Sequence, residues 1–307
     1  MRKDGGALLK EGQIRKALSG FYYVYSEGET YQTRARGNFR NRKLTPLVGD
    51  YVQFESDNTR DGYILELLPR HNQLVRPAVA NIDQGVVVMS CVEPNFSSNL
   101  LDRFLVTLEY EKILPVIYFT KVDLLTDEQY ADMQQIKKNY EEIGYDVFLP
   151  NKEDDAEAIE ALTATFKGKL TAFMGQTGAG KSTLLNKISP ELALKTGEIS
   201  DYLGRGRHTT RHVELIPLAE GLVGDTPGFS AIDFLEIEAE ELTGQFPEIA
   251  EASAACKFRE CLHIHEPKCE VKALVESGEI IESRYKNYCQ FLGEIENRKP
   301  MYGKNKK

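Results

Sequence analysis

The sequence predicts a multidomain α/β protein: a small β-barrel, then a doubly wound parallel sheet, then a helical C-terminal region. Three observations carry this expectation. Residues 11–70 contain short aromatic and β-branched runs separated by turn residues. From residue 82 onward, apolar strands alternate with helices. After residue 232 the chain turns acidic and helical around a cluster of cysteines and histidines.

In the first region, residues 14–25 and 29–36 read as strands, Val48-Gly49-Asp50 as a turn, and 51–54 and 63–68 as further strands. Several short strands in so few residues fit a closed barrel of the OB type. The first ten residues show no periodicity and read as an extension. In the second region, residues 85–89, 116–119, 146–149 and 169–174 read as strands, and 222–224 end another. Helices are expected over 99–112, 127–143, from 183 to 188, and 283–297. The domain boundaries expected are 1–72, 73–232 and 233–307.

The chain has 307 residues, 41% of them hydrophobic, enough to build real cores. No apolar run approaches the roughly 20 residues that span a bilayer, so no membrane partner is expected. A net charge of -9 argues against a protein that coats nucleic acid indiscriminately. Five cysteines, three of them clustered, do not make a disulfide scaffold and fit a reducing cytoplasm. A monomer is the default.

Gly175-Gln176-Thr177-Gly178-Ala179-Gly180-Lys181-Ser182 matches G-x-x-x-x-G-K-[ST] in full. It follows an expected strand and opens an expected helix at Thr183. Glycines there let backbone N–H groups converge on a β-phosphate, Lys181 reaches the β- and γ-phosphates, and Ser182 ligates Mg²⁺. Thr120-Lys121-Val122-Asp123 ends an apolar strand. A carboxylate at Asp123 accepts from guanine N1–H and the 2-amino group, donors that adenine lacks, and Lys121 lays its stem on the base. Thr120 stands where most GTP-binding proteins carry Asn, which predicts weakened discrimination. Asp225-Thr226-Pro227-Gly228 is the third element: Asp225 would hold Mg²⁺ through water, and the Gly228 N–H would contact the γ-phosphate. The base-reading motif precedes the other two, so the expected fold is a circularly permuted P-loop GTPase domain.

Residues 204–210, Gly-Arg-Gly-Arg-His-Thr-Thr, have the composition of a switch loop; Thr210 or Thr209 would complete the Mg²⁺ shell, with Thr210 favoured. Phe229 stands where many GTPases place a water-orienting Gln, and a phenyl ring cannot orient water. Arg205, Arg207 or Arg211 could neutralise charge developing in the transition state. Cys256-x4-Cys261-x-His263-x5-Cys269 offers three thiolates and one imidazole, a donor set for one structural Zn²⁺ in a small C-terminal domain, and by spacing His265 could replace His263. Arg34, Arg36, Arg40, Arg42 and Lys43 form a basic run around Phe39 with no acidic residue among them. Such runs on barrel loops bind RNA with basic and aromatic side chains together.

From about residue 11 to the end, this combination resembles the ribosome small-subunit-dependent GTPase A (RsgA) family. The resemblance rests on the barrel, the permuted motif order, residues 204–210 and the Cys/His cluster. It implies a factor that binds the small (30S) ribosomal subunit and its 16S rRNA and assists late maturation. It also implies GTP hydrolysis to GDP stimulated by the subunit, His208 as the group that orients the attacking water, and His263 as the fourth zinc ligand. One departure is the stretch Leu149-Pro150-Asn151-Lys152, which lacks the Ser-Ala signature that usually contacts the guanine O6.

Overall fold

The computed structural model describes residues 9–37, 39, 44–74, 78–190, 214–224 and 237–298. The first five strands are β1 (Leu9–Leu18), β2 (Phe21–Ser26), β3 (Glu29–Ala35), β4 (Tyr51–Ser56) and β5 (Gly62–Leu67). They close into a barrel, as the sequence predicts, and its order is β1-β2-β3-β5-β4. β3 and β5 run parallel; β1 closes on β4 antiparallel.

The run at 14–25 is two strands, not one. Ser19 and Gly20 both take left-handed φ, 50° and 82°, which gives a two-residue hairpin turn matched to the strand twist. β1 also begins at Leu9, inside the stretch expected to be an extension. Ile14, Val24, Val52, Phe54 and Ile64 fill the barrel and are fully buried.

A short ladder of β6 (Gln73–Leu74) and β7 (Val79–Ala80) joins the barrel to a six-stranded sheet. Asn72 fixes the joint: its Nδ2 donates to the Ile82 carbonyl at 2.7 Å, and its Oδ1 accepts from the Ile82 N–H at 2.8 Å. Behind it, Arg70 forks onto the fully buried Asp50 carboxylate at 2.6 and 2.7 Å. Because these polar groups are satisfied inside the joint, barrel and sheet meet in fixed geometry.

The sheet comprises β8 (Gln84–Ser90), β9 (Leu114–Thr120), β10 (Asp146–Phe148), β11 (Leu170–Met174), β12 (Leu215–Leu218) and β13 (Gly221–Gly224). Its order is β10-β9-β8-β11-β13-β12, and every pair is parallel except β12 with β13. β8 and β11 are buried at every position, as strands covered on both faces must be.

Helices α1 (Ser98–Tyr110), α2 (Asp127–Ile143), α3 (Ala156–Ala164) and α4 (Lys181–Ile188) follow the strands. The Ser97 side chain caps α1. Thr126 and Gln129 form a capping box on α2, which stops at Gly144 with φ 112°.

The C-terminal unit holds α5 (Ala239–Leu242), α6 (Pro247–Ser253), α7 (Glu270–Ser277) and α8 (Glu282–Glu296). Leu242, Phe246, Ile249, Val271, Tyr288 and Phe291 form its core, which also takes in Val106 of α1. A buried polar network crosses the same boundary. Arg284 of α8 donates to Asp102 of α1 at 2.7 Å and to Glu248 of α6 at 2.7 and 3.0 Å. Asp102 also accepts from Asn287 at 2.6 Å and from the Tyr140 hydroxyl at 2.8 Å. Burial alone would lower the Arg284 pKa, but the two carboxylates outweigh it and hold the guanidinium charged. Removing Arg284 leaves two carboxylates without their counter-ion, one of them fully buried. Arg284→Ala is therefore expected to destabilise the chain by about 3–5 kcal/mol, read as a lowered midpoint in urea unfolding.

Candidate functional site

The glycine-rich loop joins β11 to α4 and needs its glycines for geometric reasons. Gly175 has φ 141°, and a Cβ there would lie 2.2 Å from the Val88 carbonyl oxygen of the neighbouring strand. Gly180 caps α4 with φ 90°. Thr177, Gly178, Ser182 and Thr183 are exposed at the mouth, whereas Gly175 and Ala179 are buried and Gln176 is half-buried. Lys181 Nζ donates to the carbonyls of Gly175 at 2.5 Å and Gln176 at 3.0 Å, so the ammonium lies across the loop. A helix N-terminus behind exposed backbone amides and an ammonium is a cradle for phosphate.

Two strands away, β9 delivers Thr120 to the same edge of the sheet. Its hydroxyl donates to the Ala179 carbonyl at 2.6 Å. The reading from sequence treated Thr120 as a weaker base-recognition group; the structure spends its single proton on the other loop. Lys121 adopts φ 58° and its ammonium reaches the Glu93 carbonyl; Val122 is buried, and Asp123 is exposed in the 3-10 turn Val122–Leu124. A cleft of about 430 Å³ opens between this turn, residues 150–155 and the start of α4, within the usual range for small ligands. Two surface ion pairs involve residues of its lining: Lys152 with Asp127 at 2.7 Å, and Lys187 with Asp155 at 2.5 Å. The stretch expected to face the guanine O6 thus lines the cleft, through Pro150, Asn151 and Lys152. No local pattern reveals the part played by Lys187 and Asp155, which lie 32 residues apart.

Residues 208, 210, 225 and 228 fall outside the described residues, so His208, Thr210, Asp225 and Gly228 have no placement here. Arg40, Arg42 and Lys43 do as well. Arg34 and Arg36 are placed, over the rings of Phe21 and Tyr63 at 4.5 and 5.8 Å, and Arg36 also pairs with Glu55. Phe39 is only 6% exposed and packs in the core, so it does not contribute the stacking surface that its place in the basic run implied. The strand face supplies aromatic groups instead. Arg15 lies 3.5 Å from the Tyr25 ring centroid, and Tyr51 and Tyr63 are 48% and 46% exposed. Because Arg and Tyr here lie on different paired strands, they form no run of charge in the sequence.

In the C-terminal unit, Cys256, Cys261, His263 and Cys269 bring their ligand atoms within 4.8 Å of one another. His263 Nδ1 lies 3.4 Å from Cys269 Sγ and 3.7 Å from Cys256 Sγ, and those two sulfurs are 3.9 Å apart. A tetrahedral cation with ordinary thiolate and imidazole bond lengths requires about 3.8 Å between sulfurs and about 3.6 Å from sulfur to nitrogen. Cys256, His263 and Cys269 match this spacing, and Cys261 Sγ lies within 4.8 Å of them, so the set suits a tetrahedral metal once Cys261 closes in. The structure brings in His263, which is fully buried, and leaves His265 exposed. Burial lowers the His263 pKa, which favours the neutral imidazole a metal needs, and pushes the Cys261 thiol up to about 12. The Glu266 carboxylate ties the loop by accepting from the N–H groups of Leu262, Ile264 and His265 at 2.8, 3.0 and 3.1 Å.

Thr120→Val keeps the shape of this residue and removes its hydrogen bond to Ala179. It is expected to cost about 1 kcal/mol, a several-fold weaker GDP affinity in a fluorescent-nucleotide titration, with little change in the melting temperature.

Comparisons with known proteins converge. The RsgA GTPase family model matches residues 67–235, and the RsgA N-terminal domain model matches residues 11–64. The small ribosomal subunit biogenesis GTPase RsgA of Enterococcus faecalis is 69% identical over 294 residues, covering 96% of this chain and 98% of that protein. Its counterpart from Latilactobacillus sakei is 56% identical over 299 residues, covering 97% and 100%. Among solved structures, YloQ, a circularly permuted GTPase, superposes with a TM-score of 0.81 at 47% identity, covering 98% of this chain and 100% of that one. YjeQ from Thermotoga maritima gives a TM-score of 0.83 at 34% identity, covering 95% and 100%. With models matching most of its length and relatives aligned end to end, this chain belongs to the RsgA GTPase family.

Proposed function

We propose that this chain is a GTP phosphohydrolase that binds the small (30S) ribosomal subunit through its 16S rRNA, assists late maturation, and leaves when GTP is hydrolysed to GDP and phosphate. The observation that carries this reading is the 69% identity, over nearly the whole length of both chains, to a protein named for small-subunit biogenesis. The cleft beside the glycine-rich loop agrees with it. No helix among the described residues is long and apolar enough to cross a membrane; the proposed setting is the cytoplasm and the proposed state a monomer.

In this reading guanine sits in the cleft, with Asp123 accepting from its N1–H and 2-amino groups and the Lys121 stem against its face. The amides of residues 175–183 hold the phosphates, and Lys181 swings from its own loop carbonyls to the β- and γ-oxygens. Ser182, Thr210 and, through water, Asp225 would hold Mg²⁺, which supplies charge neutralisation at the transferring phosphoryl group. Gly228 donates its N–H to the γ-phosphate. His208 orients the water whose oxygen attacks the γ-phosphorus as the bond to the β–γ bridging oxygen breaks. Arg205, Arg207 and Arg211 are the alternatives for stabilising the charge that builds on that oxygen.

The barrel meets rRNA through Arg34, Arg36, Arg40, Arg42 and Lys43 together with the Tyr25, Tyr51 and Tyr63 face, where bases can stack. Cys256, Cys261, His263 and Cys269 hold one structural Zn²⁺, which staples a unit too small to rely on its core alone.

Two measurements test these assignments. Elemental analysis should find one zinc per wild-type chain and none in Cys269→Ser. Zinc affinity should fall with falling pH, because thiols whose pKa is raised by burial must be deprotonated on binding. His208→Ala should still bind GTP but fail to hydrolyse it on the subunit, so it should cosediment with subunits after wild-type protein has been released. Release of His208→Ala at the wild-type rate would remove the histidine from the mechanism.

A further inference from the structure

β1 changes partner along its length. Leu9 to Gln13 pair with β4 and close the barrel. A bulge between Ile14 and Lys16 then breaks the register with β2, and Lys16 forms an antiparallel bridge with Glu214. Glu214 immediately precedes β12, the outermost strand of the GTPase sheet. One strand is thus shared between barrel and sheet, and the bulge redirects it from one to the other. The Lys16 ammonium reinforces the bridge by pairing with the Glu214 carboxylate at 2.8 Å. Beside it Leu215, 3% exposed, packs into the same cluster as Ile14 and Val52 of the barrel.

An exposed ion pair alone stabilises little. This one sits on a backbone bridge against a buried leucine, at a particular place in the chain: Glu214 follows residues 208–213 directly, so it ends the segment that carries His208 and Thr210.

We propose that Lys16 and Glu214 are positioning residues for subunit-stimulated hydrolysis, a junction that couples the placement of the barrel to the edge of the sheet at β12, the strand that in sequence follows the segment carrying His208 and Thr210. The proposal rests on the subunit-activated reading above and adds the route by which docking at one domain reaches chemistry at another. Neither residue lines the cleft beside the glycine-rich loop, so turnover without subunits is not expected to need them.

The test is a charge-reversal cycle of Lys16→Glu, Glu214→Lys and the double swap, with Lys16→Gln as a milder variant that keeps most of the stem. Basal hydrolysis, GDP affinity and the subunit concentration for half-maximal stimulation should stay within about threefold of wild type in every variant. The maximal stimulated rate should fall about tenfold in each reversal, by less in Lys16→Gln, and recover in the double swap, a coupling of the size seen between linked sites. Three results would overturn the junction: full stimulation of both single reversals, a loss seen only as weaker subunit binding, or a double swap as impaired as the singles. A wild-type protein that subunits fail to stimulate would overturn the underlying reading as well, and no behaviour of the variants alone does that.

Discussion

The hydrogen bond from Thr120 to the Ala179 carbonyl, 2.6 Å long, ties together the two loops on which the nucleotide site is built. One loop leaves β11 and the other leaves β9, with β8 between them, so neither is the other's neighbour in the sheet. Pairing of both strands with β8 sets the spacing of their ends, and the contact across the sheet edge fixes the loops that leave them. A Cβ on Gly180 would lie 3.3 Å from the Thr120 side chain, and one on Gly175 would strike the Val88 carbonyl. Close packing on both sides leaves the loops little room to drift apart. That constraint sets the distance between the glycine-rich loop and the cleft beside Asp123.

The permuted order changes what is attached to this site, not the site itself. Strand pairing holds every element of the sheet in place whichever loops are cut, and the permutation sends the ends of the domain into flanking units. Each of those units is locked to the sheet by satisfied polar groups: Asn72 and the Arg70–Asp50 pair on the barrel side, and the Arg284–Asp102–Glu248 network on the helical side. A buried charge network of this kind is weak evidence for extra stability but strongly resists rearrangement, because breaking it strands a charge. The barrel, the sheet and the helical unit are therefore held in one frame, which the proposed coupling of docking to hydrolysis requires.

What was legible in the sequence depended on how local its physical cause is. The glycine-rich loop could be read because three successive backbone requirements force glycine at fixed offsets, and the Cys/His cluster because four donors lie close together in the chain. Strands β8, β9 and β11 announce themselves by burial on both faces. The hairpin at Ser19-Gly20 was missed although Ser-Gly is itself a turn signal, because apolar and aromatic residues on its two sides make 14–25 read as one extended stretch. The burial of Phe39 was missed because charges on either side of it look like a surface. Lys16 with Glu214 and Asp102 with Arg284, 198 and 182 residues apart, leave no trace in any window of sequence. Motifs gave the chemistry; only the folded chain gave the joints that connect it.

The measurement that tests the account most directly is steady-state GTP hydrolysis by the purified protein with and without isolated small ribosomal subunits. The account predicts slow turnover alone, since no glutamine stands after Gly228 to orient water, and a rise of several orders of magnitude when subunits are added. A rate that subunits leave unchanged would contradict it.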